Sequence, residues 1–210
     1  MHTKRIWDIS PPVSTASPVF PGDTPYSQHW KWTVSAECPV NVSELTMSPH
    51  IGAHADAPLH YDNNGAAIGS VPLAPFLGHC RVIHAFDCGP LILPEHLMHA
   101  VQDLPPRVLV RTARHAALSW WTDDFTAYAP QTIEWLADRG VTLIGLDTPS
   151  IDPASSKTLD SHHVILRRDI RVLENLLLDD VEPGDYELIA LPLALIQADA
   201  SPVRAILREL

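Results

Sequence analysis

The chain has 210 residues, with 14 lysines and arginines against 25 aspartates and glutamates, a formal net charge of −11 with neutral histidines. Hydrophobic residues make up 46% and charged residues 19%, the composition of an ordinary globular protein, and one α/β domain over residues 1–210 is expected. The acidic balance and scattered arginines argue against a nucleic-acid partner, and no apolar run approaches the ~18 residues of a membrane span.

The first twelve residues, MHTKRIWDISPP, lack the apolar stretch of a secretory signal. Cys38, Cys80 and Cys88 are odd in number and lack metal-type spacing. Both features predict a cytoplasmic protein with reduced thiols. Twenty prolines lie mostly between apolar runs, which predicts many fixed loops.

Arg5 to Ser10 reads as a first strand closed by Pro11-Pro12, and Pro21-Gly22-Asp23 as a turn. Gln28 to Val34 and Val42 to Met47 read as strands leading to Pro49-His50-Ile51-Gly52-Ala53-His54-Ala55-Asp56-Ala57-Pro58-Leu59-His60. Alternate side chains of an extended backbone share a face, so His50, His54, Asp56 and His60 are expected on one side. Gly52 and Pro58 disfavour a helix here. Imidazole nitrogen and carboxylate oxygen suit zinc and other borderline divalent ions. The segment reads as one wall of a metal site, with one histidine left to move protons. Its bland alternatives are hydrogen-bonded structural histidines or a closed structural metal, although the latter is mostly cysteine-rich. Ile51 stands where the metalloprotease pattern needs a glutamate.

Asn63-Asn64-Gly65 reads as a turn, Cys80 to Phe86 as a strand and Pro94 to Val101 as a helix beginning on a proline. Arg107 to Thr112 is a β-branched run expected as a buried strand. Pro130 to Arg139 is the best helix: Ile133, Leu136 and Ala137 share one face, and Gly140 stops it. Val141 to Leu146 follows as a strand, Ser161 to Arg168 as a short helix, and Tyr186 to Leu191 and Arg204 to Arg208 as late strands. The strand–helix–strand order predicts a mixed sheet or open barrel with helices packed outside.

Asp160-Ser161-His162-His163, with Glu174 twelve residues after His162, offers a second ligand set. Asp56 is the natural bridge between the two sets, because a carboxylate has two oxygens. Two metals ~3.5–4 Å apart hold a hydroxide and polarise a carbonyl together. Read alone, His162 and Glu174 have surface polar residues as their alternative, since one histidine and one glutamate far apart carry little weight.

The run His-x-Gly-(small)-His-x-Asp-x-Pro-x-His resembles the signature of the cyclase-like metal hydrolase family. Trp7–Ser10, Phe20–Asp23, Gly145–Asp152, Asp160–His163 and Val172–Leu176 are similar to the arylformamidases within it. The resemblance implies a swivelling β/β/α fold, homodimers and two zinc ions per subunit. It implies hydrolysis of N-formyl-L-kynurenine to L-kynurenine and formate by a metal-bound hydroxide. By the same resemblance His50, His54 and Asp56 hold one zinc, Asp56, His162 and Glu174 hold the other, and His60 is the proton donor and acceptor. The choice of His162 over His163 rests on this resemblance, and His163 is assigned to packing or support. Phe20 stands where the family often carries tryptophan beside the substrate ring, with core packing as its alternative. Ala53 replaces a common threonine and removes no ligand. Competing readings are the opening of a cyclic amide or ester of the isatin or lactone type, and a non-catalytic metal-binding protein. The latter leaves His60 without a use.

Overall fold

In a computed structural model that describes residues 4–210, the chain builds one large curled sheet with helices on its outer side. Residues 1–3 of the expected domain lie outside the described residues. The elements are β1 (Ile6–Asp8), β2 (Ser27–Trp32), β3 (Val42–Thr46), β4 (His54–Asp56), β5 (Leu77–His84), β6 (Leu91–Ile92), α1 (Pro94–Leu97), β7 (Arg107–Arg111), β8 (Ala127–Tyr128), α2 (Pro130–Ala137), β9 (Leu143–Leu146), α3 (Asp160–Arg168), β10 (Arg171–Glu174), β11 (Gly184–Ile189), β12 (Ala200–Pro202) and β13 (Ile206–Arg208).

The nine-stranded sheet runs β1-β13-β11-β5-β7-β9-β10-β4-β12. Its centre, β5-β7-β9-β10, is parallel, and every flanking pair is antiparallel. Parallel neighbours need crossover connections. Here α2 joins β7 to β9, and α3 joins β9 to β10. Alternation along the central strands divides the apolar side chains between two cores. Val82, Leu109, Leu143 and Leu173 face the inner core with Phe76 and Leu188. Ile83, Val108, Val110, Ile144, Leu146 and Val172 face the outer core with Ile133 and Leu136 of α2 and Val164 and Ile165 of α3. The face expected for α2 is therefore the buried one, except that Ala137 is only half-buried. Gly140 ends the helix at φ +85°, where its N–H donates to the Ala137 carbonyl.

β2 and β3 stand apart as a two-stranded ribbon whose apolar residues Trp30, Trp32, Val42 and Leu45 are exposed. β10 and β12 were absent from the sequence reading. They are four and three residues long, too short for periodicity to register. No helix among the described residues is long and apolar enough to cross a membrane.

The Asn63–Gly65 turn folds back on the segment that carries His60. The Leu59 N–H donates to the Ala66 carbonyl, and a Cβ on Gly65 would lie 2.3 Å from the Pro58 carbonyl carbon and 2.6 Å from the Leu59 nitrogen. Gly65→Ala is expected to cost about 1–3 kcal/mol in urea unfolding, because backbone and not a pliable side chain blocks the new methyl. Gly89→Ala, at φ +69° with open space around it, should cost about 1 kcal/mol from conformation alone. Equal midpoints for the two variants would contradict this packing.

Candidate active site

β4 and β10 pair antiparallel with His54 opposite Glu174 and Asp56 opposite Val172. His54 and Asp56 are two residues apart on a strand and therefore project from the same face. That face is the outer one, because Val172 belongs to the helix-side core. Ala55 between them points to the inner core. The site thus lies at the carboxyl end of β10, where open α/β sheets leave room for ligands. His54, Asp56, His162 and Glu174 are all buried.

His162 arrives from the first turn of α3. Leu159, just before this helix, adopts φ +49°, a conformation that costs a non-glycine residue about 1–2 kcal/mol. Ser156 Oγ accepts its N–H at 3.0 Å, and its carbonyl accepts the His163 N–H at 2.9 Å. Asp152 then caps the helix: Oδ1 accepts the Ser161 N–H and Oδ2 the His162 N–H, each at 3.0 Å. The same Oδ2 lies 2.7 Å from His162 Nδ1. One carboxylate therefore sets both the start of α3 and the rotation of the imidazole. His163 points outward and is exposed, which overturns its assignment to packing or support.

The expectation that one extended segment carries all four residues of the motif needs correction. Only His54–Asp56 is a strand; His50 ends a turn, and Gly52 reverses the chain at φ +63°. His60 closes a one-turn 3-10 helix, Pro58–His60, which begins on the proline that was read as a helix breaker. Proline suits the first position of a helical turn because no N–H is required there. The two outer histidines converge through turns: the His50 and His60 ring centroids are 4.3 Å apart.

The hydrogen bonds fix what these side chains present. His54 Nδ1 lies 2.9 Å from the Gly52 carbonyl, which can only accept, so Nδ1 carries the proton and Nε2 turns its lone pair inward. His162 donates Nδ1–H to Asp152 in the same way. His54 Nε2 is then 3.5 Å from Asp56 Oδ1 and 3.2 Å from Glu174 Oε2, and His162 Nε2 is 3.5 Å from Asp56 Oδ2. His54 Nε2, His162 Nε2 and both Asp56 oxygens are buried without a hydrogen-bond partner. Glu174 keeps its place through Oε1, which accepts the Ile151 N–H at 2.8 Å.

A ring of buried acceptors needs a cation at its centre. Without a metal the cation is a proton. Burial lowers His162, but the Asp152 carboxylate that accepts from Nδ1 and the Asp56 and Glu174 carboxylates facing Nε2 outweigh it and raise the imidazole to about 10. His50 is likewise depressed by burial and lifted by Asp56 and Asp199 to about 9. Burial works against ionised Asp56, yet His162, His50 and His54 hold its carboxyl well below the usual range. The residues fit a divalent metal on donor chemistry and on these orphaned atoms. His50, His54 and Asp56 each bring one donor atom within 4.8 Å of the others, as do Asp56, His60 and His162. Glu174 belongs to neither trio and joins through its approach to His54.

Asp199 escaped the sequence reading. Its Oδ2 lies 3.0 Å from His50 Nε2 and 3.2 Å from His60 Nδ1, across 149 and 139 residues of chain. A cavity of about 310 Å³ opens onto the cluster, lined by His50, His54, His60, His162 and Glu174 on one side and Phe20, Trp121 and Phe125 on the other. Phe20 is 54% exposed, so core packing is overturned for this residue. Its ring meets Trp121 edge-on at 5.2 Å.

Residues 7–153 match the model of the Cyclase family. A kynurenine formamidase of Bordetella petrii is 84% identical over 207 residues, covering 99% of each chain, and one of Delftia acidovorans is 67% identical over 208 residues with the same coverage. Among solved structures, the chain described as a "predicted metal-dependent hydrolase from Bacillus stearothermophilus" superposes with a TM-score of 0.84 at 25% identity, covering 99% of this chain and 100% of that one. An isatin hydrolase bound to a product analogue shares the fold, with a TM-score of 0.84 at 17% identity over 98% of this chain and 92% of that one.

Asp152→Asn preserves the shape of the cap but weakens its hold on the His162 tautomer. It is expected to lower metal affinity roughly 10–100-fold in competition with a chelating dye, with α3 intact by circular dichroism. Wild-type affinity in this variant would refute the role.

Proposed function

The chain belongs to the Cyclase family, and we propose that it is a metal-dependent amide hydrolase converting N-formyl-L-kynurenine and water to L-kynurenine and formate. The carrying observation is the set of four buried, unpartnered acceptor atoms beside an aromatic-walled cavity, in a chain 84% identical to a kynurenine formamidase. That identity favours a linear arylformamide over the cyclic amide of the isatin hydrolase, whose 17% identity supports the shared fold alone. A poised His60 beside the ligand set argues against a non-catalytic metal carrier.

In this reading His50, His54 and Asp56 would hold one zinc, and Asp56, His162 and Glu174 would hold a second. The nitrogen–carboxylate donor set supports a borderline divalent ion. Bound there, it supplies Lewis acidity toward the formyl oxygen and lowers the pKa of a neighbouring water to near 7. Phe20 and Trp121 flank the aryl ring and orient the formyl group toward the buried histidines. His60 accepts the proton released as the water oxygen bonds to the formyl carbon. It returns that proton to the aniline nitrogen as the C–N bond breaks, so a neutral arylamine and formic acid leave, and the acid releases its remaining oxygen-bound proton to solvent to become formate.

Residues 1–210 form one hydrolase domain in this reading, supported by a sheet that takes edge strands from both ends of the described chain. The active form is a homodimer joined through the β2–β3 ribbon, since an isolated two-stranded ribbon with exposed tryptophans is marginal in water. Three free cysteines support a cytoplasmic setting.

Purified protein should hydrolyse N-formyl-L-kynurenine, lose that activity to a chelator and regain it with zinc. His60→Ala should turn over roughly 10²–10⁴-fold more slowly at unchanged metal content. Opening of isatin by zinc-loaded protein without formylkynurenine turnover would overturn the substrate. Sedimentation should give a dimer that Trp32→Asp converts to monomer; a dimer that survives the change would place the contact elsewhere.

A further inference from the structure

Asp199 immediately precedes β12, and its carbonyl accepts the Ala57 N–H at 2.8 Å. Strand pairing therefore fixes it beside the short turn that carries His60. Among the described residues its carboxylate has two side-chain partners, the rings of His50 and His60, and both meet the same oxygen. An ionised carboxylate only accepts hydrogen bonds, so each ring must present an N–H to it. For His60 this selects the Nδ1–H tautomer and leaves Nε2 with its lone pair. A ring nitrogen of His60 stands within 4.8 Å of Asp56 and His162 donor atoms.

We propose that Asp199 is the positioning residue for proton transfer, holding His60 in the tautomer and ring orientation that leave Nε2 free to accept a proton. The inference rests on the reading of His60 as the proton carrier. Oδ2 also holds His50 through Nε2, which turns His50 Nδ1 toward Asp56, 3.0 Å away. Asp199 thus ties the reactive imidazole to the wall of the metal site through one atom. A half-exposed carboxylate is well suited to this task, since it orients the ring without burying a second uncompensated charge beside Asp56 and Glu174.

Asp199→Asn keeps the side chain's size but offers an amide N–H₂ that favours the opposite tautomer of His60. The test measures kcat, KM and bound zinc for Asp199→Asn, His60→Ala and the double variant on N-formyl-L-kynurenine. We expect Asp199→Asn to lower kcat roughly 10–100-fold, with KM within about twofold and zinc content unchanged. We expect no further loss when it is added to His60→Ala, because a residue that acts through another loses its effect once that residue is gone. Multiplicative losses in the double variant, a loss that follows zinc content, or an unchanged kcat would each overturn the proposal. Zinc loss in particular would mean that Asp199 serves His50, or binds metal with His50 and His60. Full turnover by His60→Ala would sink the underlying proton-carrier reading. A slow His60→Ala beside a normal Asp199→Asn would sink this inference alone.

Discussion

Four acceptor atoms facing one another in a buried space are the constraint on which this site depends. His54 Nε2, His162 Nε2 and the two Asp56 oxygens cannot hydrogen-bond among themselves without an added cation. Left uncompensated, such a cluster would cost several kcal/mol per charged group. The fold meets the constraint by fixing each acceptor from behind. The Gly52 carbonyl and the Asp152 carboxylate take the outer protons of the two imidazoles, and the Ile151 N–H holds Glu174. The lone pairs are therefore preorganised for a cation and need not be turned toward it when it binds.

The sheet provides the rigidity that preorganisation needs. Antiparallel pairing of β4 with β10 sets His54 directly against Glu174. Crossover helix α3 then brings His162 over the same face. Two cores clamp the central strands from both sides, so a shift of register by one residue would turn His54, Asp56 and Glu174 into the inner core and expel their apolar neighbours. Strain is present at the approaches to the site: Leu159 before α3 and Asn175 directly after Glu174 both adopt positive φ.

Around this rigid centre the walls become less buried. His50 and His60 come from turns and share the half-exposed Asp199, while Phe20, Trp121 and Phe125 form the far wall of the cavity. The gradient suits a hydrolase. In the proposed reading the groups that would hold metal are deep in the fold, and those that would meet substrate and exchange protons with water stand at the mouth.

The sequence by itself determined whatever depends on local backbone chemistry. The two-residue spacing of His54 and Asp56 placed them on one face, the 3.6-residue pattern of α2 named Ile133 and Leu136 as its buried side, and glycine and proline marked the turns at Pro21–Asp23 and Asn63–Gly65. The same local logic failed for His50 and His60, because Gly52 leaves the extended region and Pro58 starts a helical turn. Only the tertiary structure decided that Glu174 faces His54, that Asp152 steers His162 and that Asp199 joins His50 to His60. Those partners are 120, 10 and 139 to 149 residues apart in the chain. Strand register and helix crossover bring them together, and both are set by which distant surfaces bury each other, a property with no spacing for a linear pattern to carry.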